Sequence, residues 1–262
     1  MPMMARPFGF QRFLCLAMTI VSMLGGRALA AEPLRLVTFS LPPFMDLNDE
    51  KAPGFSVEVL RQVFAVMGQE GSFEELPFPR SWAMVAGGER DGIFGVVRTG
   101  ERERICSFPD EPLTRERWVF FIRTADAARL TFSSYDDLIG HDIAMPGPLP
   151  GVYMSAELRK FLQEHHGNII DTTDPSMVFS MLASGRVDYA IVNLAVGKRE
   201  IAAMGLSGKI EPILSRSAME DSYRVCFSKT RVDPAFVDAF SRALREFKQT
   251  EAFQVIYRKY FP

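Results

Sequence analysis

Apolar residues recur along the chain with two periods. Leu34-Arg35-Leu36-Val37-Thr38-Phe39 alternates as a half-buried strand does, and a loop with Pro42-Pro43 follows. After Ser56, apolar side chains fall at Leu60, Val63, Phe64 and Met67, the spacing of one helical face, and Gly68 ends the run. A strand near Ser72 to Leu76, a helix from about Arg80 to Ala86 and a strand from Gly92 to Val97 complete a βαβαβ series. That series is the pattern of a parallel sheet covered by helices. It recurs after Trp118-Val119-Phe120-Phe121-Ile122. A strand at Ile143-Ala144-Met145, a helix from about Ser155 to His165 and a strand at Asn168-Ile169-Ile170 come first. Asp174-Pro175 then supplies an N-cap and a first-turn proline for a helix ending at Gly185, and Tyr189 to Val192 reads as a strand. Pro234 to Tyr260 reads as two helices.

The two series carry an internal repeat. Met84-Val85-Ala86-Gly87-Gly88-Glu89-Arg90-Asp91 matches Met181-Leu182-Ala183-Ser184-Gly185-Arg186-Val187-Asp188 at a constant offset. Each unit is a helix end, a Gly suited to the left-handed position, then Asp and an apolar strand. Two such α/β lobes facing each other form a cleft, and ligands of these sheets lie beyond the carboxyl ends of the strands.

Composition changes the picture mainly at the N-terminus. The 262 residues are 47% hydrophobic and 24% charged, which excludes a disordered chain. Arg6 and Arg12 precede an apolar stretch, Phe13 to Gly26, followed by Ala28-Leu29-Ala30. A positive start, a short apolar core and a small-residue site are the marks of a secretory signal peptide cleaved near Ala30. The stretch is shorter than the roughly 20 residues a spanning helix needs. Cys15 lacks the small residues that precede a lipoprotein cysteine. Residues 1–30 hold three Arg and no acid, so the net charge of −2 becomes −5 in residues 31–262. A basic nucleic-acid surface is therefore not expected. Cys106 and Cys226 remain; in an oxidising compartment they could pair or stay separate thiols, since nothing in their spacing fixes a distance.

Several motifs, in this order, carry a resemblance. Leu34 to Phe44 followed by Gly54-Phe55-Ser56-Val57-Glu58-Val59-Leu60 resembles the opening of bacterial extracellular solute-binding proteins of family 3, the polar amino-acid type. Gly88-x-x-Asp91 leading to Thr99-Gly100-Glu101-Arg102, then Phe108-Pro109-Asp110 and Asp137-Leu138-Ile139-Gly140, resemble later motifs of that family. The resemblance spans nearly all of 34–262. It implies a type II periplasmic-binding fold of two βαβ lobes joined by a two-strand hinge. Lobe 1 would be 31–117 plus 222–262 and lobe 2 118–221, with Trp118–Arg123 and Tyr223–Ser228 as crossover strands. Closure of the hinge around a small solute is the implied motion.

The resemblance also nominates a site. Arg102 matches the Arg that grips a ligand carboxylate, a task suited to the planar, bidentate guanidinium. Arg98 either adds a second cation or pairs with Glu101 or Asp91, and Thr99 offers a hydroxyl or N–H. Phe44 is expected beneath the site, while Leu41 stands where many members place a Tyr. Arg80 and Trp82 open a helix facing the cleft, Trp82 as core or platform. Asn193 replaces a family Asp that accepts from the ligand ammonium; its amide still accepts but carries no charge. The Pro- and Gly-rich segment from Gly147 to Tyr153, with Gly151 near the next helix, offers N–H groups to a carboxylate. His141, His165 and His166 lie outside any metal-ligand pattern. No P-loop, G-x-S-x-G or H-E-x-x-H occurs.

The resulting expectation is a monomeric binding protein without cofactor or catalytic residues. It captures an amino-acid-like or carboxylated solute and hands it to the permease of an ABC importer. Two other classes share the fold: a dehydratase acting on prephenate or arogenate, which needs an acid that the segment around Asn193 does not supply, and a receptor module for a membrane sensor.

Overall fold

The computed structural model describes residues 32–146, 156–165, 167–172 and 174–261. The expected signal peptide and Gly151 lie outside the described residues. In chain order the first series is β1 (Leu34–Thr38), α1 (Phe55–Met67), β2 (Gly71–Glu75), α2 (Phe78–Ala86) and β3 (Gly92–Val96). A short strand β4 (Cys106–Ser107) leads to the long β5 (Thr114–Arg123). The second series is β6 (Ile143–Pro146), α3 (Ala156–Glu164), β7 (Ile169–Thr172), α4 (Pro175–Ala183) and β8 (Tyr189–Asn193). It continues into α5 (Leu194–Ala203) and β9 (Ile210–Pro212). The chain returns through β10 (Met219–Ser228) and ends in α6 (Pro234–Phe247) and α7 (Glu251–Tyr260).

Hydrogen-bonded strands run in the order β2-β1-β3-β10-β5-β8-β6-β7. The first three and the last three are parallel and have the same layout, which is the architectural form of the repeat. Leu36 pairs with Gly92 as Ile143 pairs with Tyr189. Asp91 donates its N–H to Arg35 O (3.0 Å), and Asp188 donates its N–H to Asp142 O (2.9 Å). Gly88 and Gly185 both adopt positive φ, 74° and 73°, just before these aspartates. Between the two halves run β5 and β10, antiparallel to each other from Met219↔Trp118 to Tyr223↔Thr114. This is the α/β fold of two βαβ lobes joined by two strands. The crossing is made by Thr114–Trp118 and Met219–Tyr223. That is earlier in both strands than the apolar runs Trp118–Arg123 and Tyr223–Ser228 indicate, because the crossing segments are polar.

Local physics fixes the elements around the junction. Phe55, Val59, Leu60, Val63 and Phe64 bury one face of α1, and Gly68 closes it at φ 65°. Gly54, before α1, has φ 109° and lies so close to Phe44 that a Cβ would meet its carbonyl oxygen at 2.4 Å. Here Phe55 N donates to Pro43 O and Ser56 N to Phe44 O, which locks the loop carrying Phe44 against the helix. Asp174 caps α4, accepting from Met177 N at 3.0 Å as its position before Pro175 predicts. Gly197 stands inside α5, where a Cβ would fall 2.3 Å from the ring of Phe121; glycine lets this helix lie directly on β5.

Cys106 and Cys226 form a disulfide with Cα atoms 5.2 Å apart. It joins β4 to β10, whose backbones already pair through Phe227↔Ser107 and Ser228↔Cys106.

Candidate functional site

The loop that follows β3 folds back to present Arg102. Residues 102–104 make one short helical turn, and Arg102 N donates to Thr99 Oγ1 at 3.3 Å. The side chain is buried, 5% exposed, among charged neighbours that are mostly exposed. One guanidinium nitrogen donates to Val97 O at 2.9 Å. Its carbon lies 5.5 Å from the ring centres of both Phe78 and Trp82, whose planes are nearly parallel at 6°. A flat cation held by a carbonyl and two ring faces is oriented rather than free to swing. Thr99 thus acts on the backbone of Arg102, and Trp82, half-buried, belongs to its aromatic shelf.

Arg98 is placed differently. Its Nε donates to Glu103 Oε1 at 2.5 Å, and both side chains are about half exposed. Its partner is neither Glu101 nor Asp91; Asp91 instead accepts from Arg35 N and Arg231 Nε at the opposite, entering end of β3. Arg80 is exposed on α2. Leu41 is buried and bridges to Met45 by backbone hydrogen bonds. Phe44 is fully buried beneath the junction, edge-on to Tyr223 at 5.4 Å and tilted against Phe261.

Asn193 is the most informative placement. It ends β8 and caps α5, its Oδ1 accepting from Ala195 N (2.9 Å) and Val196 N (3.2 Å). Its Nδ2 donates to Glu116 Oε2 at 2.8 Å, and Thr114 Oγ1 donates to the other oxygen at 2.6 Å. An Asp in this place would set two carboxylates at hydrogen-bond distance, an arrangement in which both do not ionise together. The amide is therefore the residue that fits beside Glu116.

Glu116 is the residue that sequence reasoning missed. It is buried in β5, and burial pushes its pKa up to about 7, although the hydrogen bonds from Asn193 and Thr114 pull it down. Asp188 and Glu200, the acids nearest Asn193 in sequence, are engaged elsewhere, with His141, Arg123 and Arg129 and with Arg199 respectively. Opposite Glu116 in the ladder lies Asp221, whose pKa burial raises while a backbone hydrogen bond and the charges of Arg224 and Arg102 lower it. The field of Arg102 thus reaches the strands between the lobes. On the same strand faces, Trp118 Nε1 and Tyr223 Oη are buried without a hydrogen-bond partner among the described residues. A signal for this group existed: alternation through Thr114-Arg115-Glu116-Arg117-Trp118 points Thr114, Glu116 and Trp118 to one face.

Among the described residues, no group of three or more His, Cys, Asp or Glu could hold a metal ion. None of their helices is long and apolar enough to cross a membrane.

Two lobes of this topology, joined by paired strands and carrying a buried arginine beside the junction, define a type II periplasmic-binding fold. The family model for bacterial extracellular solute-binding proteins, family 3, matches residues 36–262, and the chain belongs to that family. A comparison with curated proteins returns no match. Among solved structures, a histidine kinase sensor domain similar to periplasmic binding proteins superposes with a TM-score of 0.69 at 20% identity, covering 88% of this chain and 96% of that one. An ancestral arginine-binding protein bound to arginine gives 0.66 at 20% identity, over 88% and 98%. The substrate-binding protein of an amino acid ABC transporter gives 0.62 at 19%, over 87% and 98%. At these identities the likeness concerns the fold.

Proposed function

We propose that this chain is the periplasmic capture component of an importer for a small amino-acid-like or carboxylated solute. The observation that carries the reading is Arg102, buried, oriented by Val97 O and shelved on Phe78 and Trp82. A carboxylate meeting a planar guanidinium gains two parallel charge-assisted hydrogen bonds. In this reading lobe 1 comprises 31–117 and 222–262, lobe 2 comprises 118–221, and the two close over the solute. The N-terminal thirty residues direct export, and the mature monomer delivers its solute to an ABC permease. Thr99 positions Arg102, Trp82 is platform, Phe44 and Leu41 support the floor, and Arg80 and Arg98 border the entrance. Asn193 acts through Glu116, which returns a carboxylate to the place where relatives keep their Asp.

The test is a thermal-shift screen of amino acids, dicarboxylates and opines on residues 31–262. A true ligand at 100 times its Kd stabilises by about 2.7 kcal/mol. Failure of every carboxylated candidate, alongside a shift from a neutral or cationic solute, refutes the reading.

Glu116 also favours a second reading, an enzyme, since an acid titrating near neutrality can donate a proton. Incubation with prephenate decides it: release of phenylpyruvate supports the enzyme, and none supports the binder. A gene for a sensor beside this one, in place of genes for a permease and ATPase, would favour presentation to a receptor.

A further inference from the structure

A cavity of about 730 Å³ lies beside the strands that join the lobes. Arg102, Thr99, Trp82 and Leu41 are absent from its walls, while Thr114 and Glu116 of β5 border both this hollow and the Asn193 group. Three elements converge on it. The segment Thr114–Arg117 of β5 forms one side, the face of α5 bearing Ala195, Lys198, Arg199 and Ala202 another, and the end of α7 with Phe261 a third. Positions 195, 198, 199 and 202 follow the spacing of a single helical face, and 115 and 117 share one face of a strand.

The lining is strongly cationic. Arg115, Arg117, Lys198, Arg199 and Lys259 all reach it, and all are exposed. Lys259 is tied to Glu58, Arg199 stands 3.6 Å from Glu200, and Arg117 donates to Ser217 Oγ and Leu214 O. Arg115 and Lys198 make no ion pair among the described residues. The charge of Arg115 is felt beyond the cavity: burial lowers the pKa of Arg224 and of Lys248, and Arg115 lowers both further. Glu116, the acid in the lining, has both oxygens held by Thr114 and Asn193. Arg115 and Lys198 are thus cations of the lining that an entering anion meets without a competing carboxylate partner among the described residues. Pro43, Leu194, Tyr257 and Phe261 give the same hollow apolar and aromatic walls. Its volume falls in the range of small-molecule sites.

We propose that this cavity is a second ligand site, for a small oxyanion carrying at least two negative charges on an apolar or planar body. Its walls come from both sides of the junction, α5 following β8 and α7 closing the other half. An occupant therefore experiences the relative placement of the two halves, and by reciprocity its binding changes with occupancy of the Arg102 site.

The experiment is calorimetry on residues 31–262 at pH 8 with phenyl phosphate and with phthalate, a phosphate and a dicarboxylate head on the same ring. Benzoate serves as the monoanion. The expected result is binding of at least one dianion, weaker binding of benzoate, and a loss of affinity with added salt. Lys198→Glu together with Arg115→Glu lowers dianion affinity by about tenfold or more, and Lys198→Ala alone lowers it less. Near-UV circular dichroism verifies the fold of each variant, and the alanine variant keeps the test open if the double reversal does not fold. Whichever dianion binds identifies the head group. Absence of binding by both at millimolar concentration overturns the proposal. So does binding that survives charge reversal but disappears in Arg102→Ala, which would put the probe at the other site.

Discussion

Replacing Glu116 by Gln isolates the charge buried between the lobes. In the folded chain this carboxyl titrates at about 7 against an ordinary value of 4.5, chiefly because burial disfavours the ion. A carboxyl whose folded pKa is raised holds its proton more tightly in the native state. Its contribution to stability is complete below pH 4.5 and is lost as pH rises through 7. Each pH unit of that gap is worth about 1.36 kcal/mol, so the ionised form costs the fold about 3 kcal/mol at pH 8. The Gln side chain keeps both partners, its oxygen accepting from Asn193 and its amide donating to the hydroxyl of Thr114. Urea unfolding of wild type and Glu116→Gln at pH 4.5, 6, 7 and 8 measures the effect, and titrations common to both proteins cancel in the difference. We expect the variant to gain on wild type by about 3 kcal/mol between the lowest and highest pH, most of it by pH 7. A difference that stays flat with pH refutes the burial argument. One that runs the other way would mean that the hydrogen bonds outweigh desolvation.

Other outcomes follow from the same geometry. Arg102→Ala lowers affinity for a carboxylated ligand by about 2 kcal/mol or more, because a desolvated charge-assisted pair is broken. Arg98→Ala, tied to Glu103 at the surface, changes affinity by about 0.5 kcal/mol or less, and calorimetry on both variants separates their roles. Asn193→Asp puts a second carboxylate on Glu116 and lowers stability by about 1–3 kcal/mol at pH 8 but little at pH 4.5, a contrast visible in urea midpoints. Gly197→Ala destabilises by about 1–2 kcal/mol despite the better helix propensity of Ala, since the new methyl meets Phe121, and Phe121→Leu in the same chain restores part of the loss.

The elements built on regular periods were legible. The alternating Leu34–Thr38, the amphipathic α1 and the Asp174-Pro175 start of α4 lie where their patterns put them, and the offset repeat became two copies of one strand layout. Helix α5 escaped notice because Gly197 interrupts it and Lys198-Arg199-Glu200 reads as a charged surface run. The crossing segments escaped for a related reason. Met219-Glu220-Asp221-Ser222 and Thr114-Arg115-Glu116-Arg117 are polar, and only pairing with each other makes them strands. Arg102 was reached through its motif, and its aromatic shelf then followed from where α2 packs. Glu116 was not, because a carboxyl between two arginines looks solvated until the sheet turns it inward. Asn193 read as a departure that removes charge; in place, it is the neutral partner of a charge contributed by another strand.

The disulfide has a topological consequence. Everything from β5 to β9 leaves the chain after Cys106 and rejoins it before Cys226, a span of 120 residues. The bond is a clasp at the neck of that excursion, so the N-terminal and C-terminal stretches that weave the first half remain one covalent body. A peptide bond cut anywhere between the cysteines would leave a molecule that migrates intact until reductant is added, and only then falls into two fragments. A nick in the enclosed lobe therefore leaves β4 and β10 covalently joined.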